Sequence, residues 1–370
     1  MSKKIICWVG RVLCVFCLFD CGCYAAEIRA HPLADKVVLL VNSKAGDSIT
    51  VARRYQEARG IPDKNVIILP MPTKGTISRS EFNDQIHNPL VRELMKRGLI
   101  EGELREEKDA VGRLKLDVFF CNLDYMVSCM GVPYRIGEAT LDDTPIWDEY
   151  VIRAKEKEIR YQIPAAPFNK NHAAVDSELA TLAMPDIPLS GFVLNEDFGK
   201  IPAQKSSRLI RVTRLDGPSL TQVLGMINFA IEAEQSGLKG RAYFDQDGRK
   251  GAYQEGNDWI AGAERIAREL GFDVSVDLKR NEMGFGDRFD APAIYFGWYA
   301  SSVNGVFQLP GFRFPKGAIA AHLHSSSASA MRTTDKGWVG PLIARGVTAT
   351  LGNVYEPYLS HTHRFNNIME

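Results

Sequence analysis

Cysteine is scarce outside the first stretch of this chain. Five of the seven (Cys7, Cys14, Cys17, Cys21, Cys23) crowd the first 26 residues, leaving only Cys121 and Cys129. Two thiols make no disulfide framework, and no cysteine spacing here suits zinc. They could pair with each other in an oxidising compartment, or lie buried as free thiols on neighbouring apolar segments. An excess of charge is also missing. Lys+Arg and Asp+Glu number 45 each, and no basic face stands out, so nucleic acid is not an expected partner. No glycine fingerprint comes after the first predicted strand, so no nucleotide is inferred. Repeats, low-complexity segments and a G-x-S-x-G elbow are absent as well.

The first 26 residues have a composition of their own. Lys3 and Lys4 precede an apolar stretch from Ile5 to Phe19, and Cys23-Tyr24-Ala25-Ala26 closes it with small residues. That is the layout of a secretory signal peptide, with cleavage expected near Ala25 or Ala26. Gly10 and Arg11 interrupt the stretch, which is short for a membrane span. Removing Lys3, Lys4, Arg11 and Asp20 leaves 42 basic against 44 acidic residues. The expected mature protein is exported (periplasmic or extracellular), near neutral, and without a stable membrane span.

The rest of the chain reads as α/β. Val37–Val41 is a buried-strand run, Ser48–Arg59 a helix closed by Gly60, and Val66–Leu69 a second strand. A helix over about 80–97 carries Phe82, Ile86, Leu90 and Leu94 on one stripe, with a kink expected at Pro89. Leu99–Leu114 is dominated by charge and predicts a solvated connection or a frayed helix. Tyr125–Val132 is the next strand. The pattern then dissolves over about 135–205, an irregular insertion with one short helix near Ala173–Ala183. Asp176 and Glu178 on that helix are expected to be solvated or capping. Order returns with a strand at Leu209–Val212 and a helix from Asp216-Gly217-Pro218 to about Gln235, capped by Asp216. A strand over Gly240–Phe244, a helix from a capping Asn257 to Leu270, and a strand over Phe272–Val276 come next. The division is 27–200 and 201–370, each an α/β half with a mostly parallel sheet.

Three apolar runs dominate the C-terminal half: Ala293–Phe296, Ala318–Ala321 and Val347–Leu351, with a helix over Gly337–Arg345 before the last. Each is short and bounded by Gly or Pro, as a strand buried on both faces would be. Loops at the carboxyl ends of parallel strands line one crevice. The crevice is therefore expected to hold Trp298, Tyr299, Ser301, His322, His324, Asn353 and Glu356. Trp298 and Tyr299 would wall it or plug it.

Two resemblances bear on function. Gly131-Val132-Pro133-Tyr134, Val175-Asp176-Ser177-Glu178-Leu179, Thr213–Pro218, Leu309–Arg313 and Leu351–Tyr358 together resemble an uncharacterised family of exported bacterial proteins. That family occurs in species with exosortase-type protein sorting. The resemblance implies a place near that system and supplies no activity. It also implies a chain continuing past Phe365–Met369, where a helix begins. Separately, the order Arg214, long helix, Asp245, Tyr295-Phe296-Gly297, Ala318–Ala321 and Gly346–Gly352 is similar to the catalytic half of gingipain-like, caspase-related cysteine peptidases. It implies Rossmann-like, caspase-like halves. A cysteine peptidase needs a thiolate and a histidine to take its proton. Here Trp298 stands at the histidine position and no thiol falls near His324–Ser326, so the resemblance implies a pseudoenzyme. Trp298→His with Ser325→Cys is the change expected to restore a reactive thiol.

The leading expectation is therefore a non-catalytic, peptidase-like binding protein of the cell envelope, taking a peptide or envelope component, without cofactor. The alternative is a hydrolase using the His322/His324 and His361/His363 loops. Residues i and i+2 of an extended chain face one side, so four imidazoles, or three with Glu356, suit zinc. The plain reading is hydrogen-bonded or surface histidines. His324 with Ser325, or Arg214 facing a substrate loop, are the other catalytic candidates; Arg214 paired with a carboxylate is the bland reading. Asp245 and Asp247 form a plain turn or part of a calcium loop.

Overall fold

A computed structural model of the protein describes residues 31–109, 111–137, 172–184, 208–359 and 362–369. The leader and most of the 135–205 insertion lie outside them.

Two parallel four-stranded sheets form the frame, so the α/β expectation holds. In the first, β1 (Val37–Asn42) has apolar residues on both faces and is buried along nearly all its length, which fits an interior position in a parallel sheet. It pairs with β2 (Val66–Leu69) on one side and with β6 (Tyr125–Cys129) on the other, and β9 (Arg211–Leu215) pairs with β6. Helix α1 (Gly46–Arg59) crosses between β1 and β2, and Gly60 ends it in the left-handed region at φ 65°. The second sheet runs in the order β11 (Val274–Asp277), β10 (Arg241–Asp245), β12 (Pro292–Gly297), β13 (Ile319–His322). The strand after residue 200 thus completes the first sheet, not the second. Two short strands, β3 (Thr76–Ile77) and β7 (Arg135–Ile136), pair with each other, and β8 (Ala173–Ala174) pairs with β7.

Several stretches differ from expectation, each for a physical reason. The charged segment after Leu99 is no solvated connection: β4 (Ile100–Lys108) pairs antiparallel with β5 (Leu114–Cys121). Ile100, Leu116 and Val118 are buried while Glu101, Glu103, Glu106 and Glu107 face outward. The 80–97 helix divides into α2 (Arg79–Phe82), a π turn over Asn83–His87, and α3 (Asn88–Lys96). The wide turn precedes Pro89, which has no N–H for the regular ladder. Neither Asp176 nor Glu178, on α4 (Val175–Ala180), caps the helix: Glu178 is ion-paired with Arg79 and Arg113, and Asp176, still partly solvated, with Arg214.

Helix α5 (Leu220–Ser236) is capped by Ser219, whose Oγ accepts from the Gln222 amide, so Asp216 is free for another task. Helix α6 (Gln254–Glu269) starts before Asn257, which therefore lies within it and caps nothing. Val347–Leu351 is not a strand. It makes a single parallel bridge, Ile319↔Ala349, after which the chain leaves the sheet. Tyr355 draws it toward the first sheet's side, its hydroxyl donating to the Ile136 carbonyl at 3.0 Å. Helix α7 (Val339–Ala344) and helix α8 (Phe365–Met369) complete the described chain. Cys129 is a buried free thiol. Among the described residues no helix is long and apolar enough to cross a membrane.

Candidate functional site

The parallel register of the second sheet sets Asp245, Gly297 and His322 side by side at the strand ends. From them runs a buried chain of hydrogen bonds. The Ala300 amide donates to His322 Nε2 at 3.0 Å, which leaves the ring proton on Nδ1, 3.0 Å from the Tyr295 hydroxyl. That hydroxyl donates to Asp245 Oδ2 at 3.2 Å, and the Met283 amide adds a second donor at 3.3 Å. The three side chains are at most 1% exposed. Burial pushes the Asp245 carboxyl up to about 8, with Asp277 and Glu282 adding to the rise and the Met283 amide and Tyr295 opposing it. Burial also holds His322 well below its ordinary value, with His324 contributing, so its imidazole is neutral. Glycine is required at 297, where a Cβ would collide with the Tyr295 hydroxyl.

Trp298 turns down into the protein and acts as the plug. Its Nε1 donates to Asn257 Oδ1 at 2.7 Å and its ring lies against Gly256. Tyr299 turns the other way. Its ring centroid is 4.9 Å from that of His324, and its hydroxyl is 3.4 Å from Ser325 Oγ. His324 Nδ1 accepts from the Ser326 amide at 3.4 Å. Burial lowers the His324 pKa and the nearby Glu356 carboxylate partly offsets it. Asn353 Nδ2 reaches the His324 carbonyl at 3.4 Å. Tyr299, His324, Ser325, Asn353 and Glu356 thus gather at one mouth, with Ser301 exposed on the loop that carries Tyr299. Trp298 and His322 lie beneath it.

No nucleophile is poised there. Ser325 Oγ faces Tyr299, and His324 Nδ1 is directed at a backbone amide. The zinc arrangement meets a similar obstacle, because both ring nitrogens of His322 are already hydrogen-bonded. His363 is exposed and His361 lies outside the described residues. Among the described residues no group of three or more His, Cys, Asp or Glu is placed to hold a metal ion. Asp247 is ion-paired with Arg249, and its carbonyl accepts from Asn257 Nδ2 at 2.6 Å, as in a plain turn.

Arg214 is spent elsewhere. It meets Asp176 through Nε and Nη2 at 2.9 and 2.7 Å, Asp216 at 3.2 Å, and the carbonyls of Val132 and Pro133. Burial works against its charge, but Asp176 and Asp216 outweigh it and the pKa is raised. Asp216 also receives Arg332, at 2.7 Å, and Arg332 Nη2 donates to the Val132 carbonyl. Arg214 and Asp216 therefore fasten the two sheets' loops together.

The carboxyl ends of the first sheet are closed by Asn42, a residue that sequence reasoning passes over. Its Nδ2 donates to the carbonyls of Pro72 and Gly131, and its Oδ1 accepts from the Lys44 and Met71 amides. A lone amide ending an apolar strand run is the available signal. The thiols are no nearer to chemistry: burial pushes Cys129 up to about 12. No protein-family model matches this chain, and neither does any curated protein or solved structure.

Proposed function

We propose that this chain is an exported, non-catalytic, peptidase-like binding protein of the cell envelope, working near an exosortase-type sorting system. Its mouth, formed by Tyr299, His324, Ser325, Asn353 and Glu356, takes a peptide or envelope component. One observation carries the non-catalytic part: the Trp298 indole, which the resemblance aligns with the peptidase base, is bonded inward to Asn257. No thiol lies at the carboxyl ends of the second sheet's strands, and a thiol as strongly protonated as Cys129, which ends β6 of the first sheet, is a poor nucleophile. Export rests on the leader, and the sorting link on the resemblance. An aromatic face, a neutral imidazole and a carboxylate around an exposed mouth suit recognition of polar chain segments.

The test is incubation of purified protein with a mixed-sequence peptide library, followed by mass spectrometry, alongside NMR titration of the His324 ring. Shifts of the His324 signals without new peptide termini are expected. Cleavage that disappears in His324→Ala would replace this reading with the hydrolase one.

A further inference from the structure

The hydrogen-bond chain beneath the mouth has a fixed direction. A backbone amide can only donate, so the Ala300 N–H requires an unprotonated Nε2 on His322. The ring proton must then sit on Nδ1 and point to Tyr295, whose own proton goes on to Asp245. Trp338 holds the same ring flat, 3.7 Å between centroids at 11°, and its Nε1 donates to the Ala300 carbonyl at 2.8 Å. The peptide plane after Tyr299 thus hangs from one imidazole nitrogen, while the next plane hangs from an indole. The other titratable groups around this chain are His324 on the mouth side and Asp277 and Glu282 at the Asp245 end.

We propose that His322 is the positioning residue of the mouth: its Nε2 holds the Ala300 amide, and that bond sets Tyr299 against His324. Tyr295 and Asp245 act through it by fixing which nitrogen carries the proton. The use of the mouth in binding rests on the function proposed above; the positioning itself does not.

Two substitutions separate the two ends of the ring. Gln at 322 reaches the Nε2 position, whereas Asn reaches only the Nδ1 position. The readouts are hydrogen exchange at the Ala300 amide and the His324 ring proton shift, which senses the Tyr299 ring. In His322→Asn, Ala300 exchange should quicken at least tenfold and the His324 shift should move toward that of a free histidine. Amides of Phe296 and Ala321, in the sheet, should stay protected. His322→Gln should keep both signals near wild type. Unchanged signals in the Asn variant would overturn the proposal. The wild-type protein gives an independent decision should that variant not fold: ring nitrogen shifts must place the proton on Nδ1, with coupling across the hydrogen bond from the Ala300 amide to Nε2. A proton on Nε2 would refute it. Failure to find a ligand would leave all these signals intact and count only against the binding function.

Discussion

Gly256 lies so close beneath the Trp298 indole that a methyl group at 256 would overlap the ring. Helix α6 and the β12 strand end are thereby pressed together at a point where only hydrogen fits.

Gly256→Ala should therefore destabilise the protein. Alanine in a helix gains up to about 1 kcal/mol over glycine. Overpacking costs about 1–3 kcal/mol, and here the obstacle is a ring held by Asn257. A lower urea midpoint is expected, and the same change in a Trp298→Leu background should lose that penalty. Equal effects in both backgrounds would mean the ring is not the obstacle.

Asp245 should make stability depend on pH. Its folded-state value is raised to about 8, against about 3.9 for a free aspartate. The folded protein keeps a proton that the unfolded chain has released, so stability is full below about pH 4 and falls as pH rises toward 8. The slope approaches about 1.4 kcal/mol per pH unit between those limits. Asp245→Asn removes it, so the variant should gain on wild type steadily from pH 5 to 8 in urea unfolding. A difference independent of pH would count against a protonated Asp245.

Arg332→Met should weaken the junction between the sheets. It removes one of two guanidinium partners from a fully buried Asp216 side chain and a donor from the Val132 carbonyl. Stripping a partner from a buried ion pair costs about 3–5 kcal/mol, and a residue one-quarter exposed should fall at the low end. Asp216→Asn, which weakens the ion pairs of both arginines, should cost more. The reverse ranking in urea unfolding would overturn this account of the cluster.

The double substitution Trp298→His, Ser325→Cys should not yield a reactive thiol, although the resemblance to cysteine peptidases invites it. Position 298 projects toward Asn257 while position 325 projects toward Tyr299. The thiol introduced by Ser325→Cys should react with iodoacetamide at the same rate, within about twofold, with or without Trp298→His. A tenfold acceleration in the double variant would bring back the shared-dyad geometry.

The parts legible in the sequence are those whose burial is local. Val37–Val41 and Ala293–Phe296 announce interior strands because both faces are apolar, and Gly60 announces a helix end. The β4–β5 hairpin stays hidden because its outward face carries the glutamates and irregularities in its register break the alternation of burial. The mouth is half legible: a strand end gives the right neighbourhood for His324, and the single bridge at Ala349 brings Asn353 to it. The direction of each side chain is not, since Gly256 decides where Trp298 points. His322, Tyr295 and Asp245 meet only through the register of three strands.

Asp216 lies just past a strand of the first sheet, yet one of its two arginines comes from a loop of the second. Helix α5, immediately after it, places Val223 and Ile227 among the core residues around Leu39 and Val41 and sets Ala233 against Gly317, beside β13. Melting either sheet alone would strip a desolvated carboxylate of a partner and bare one flank of that helix. The protein should consequently melt as a single cooperative unit, with calorimetric and van't Hoff enthalpies in agreement, despite having two sheets.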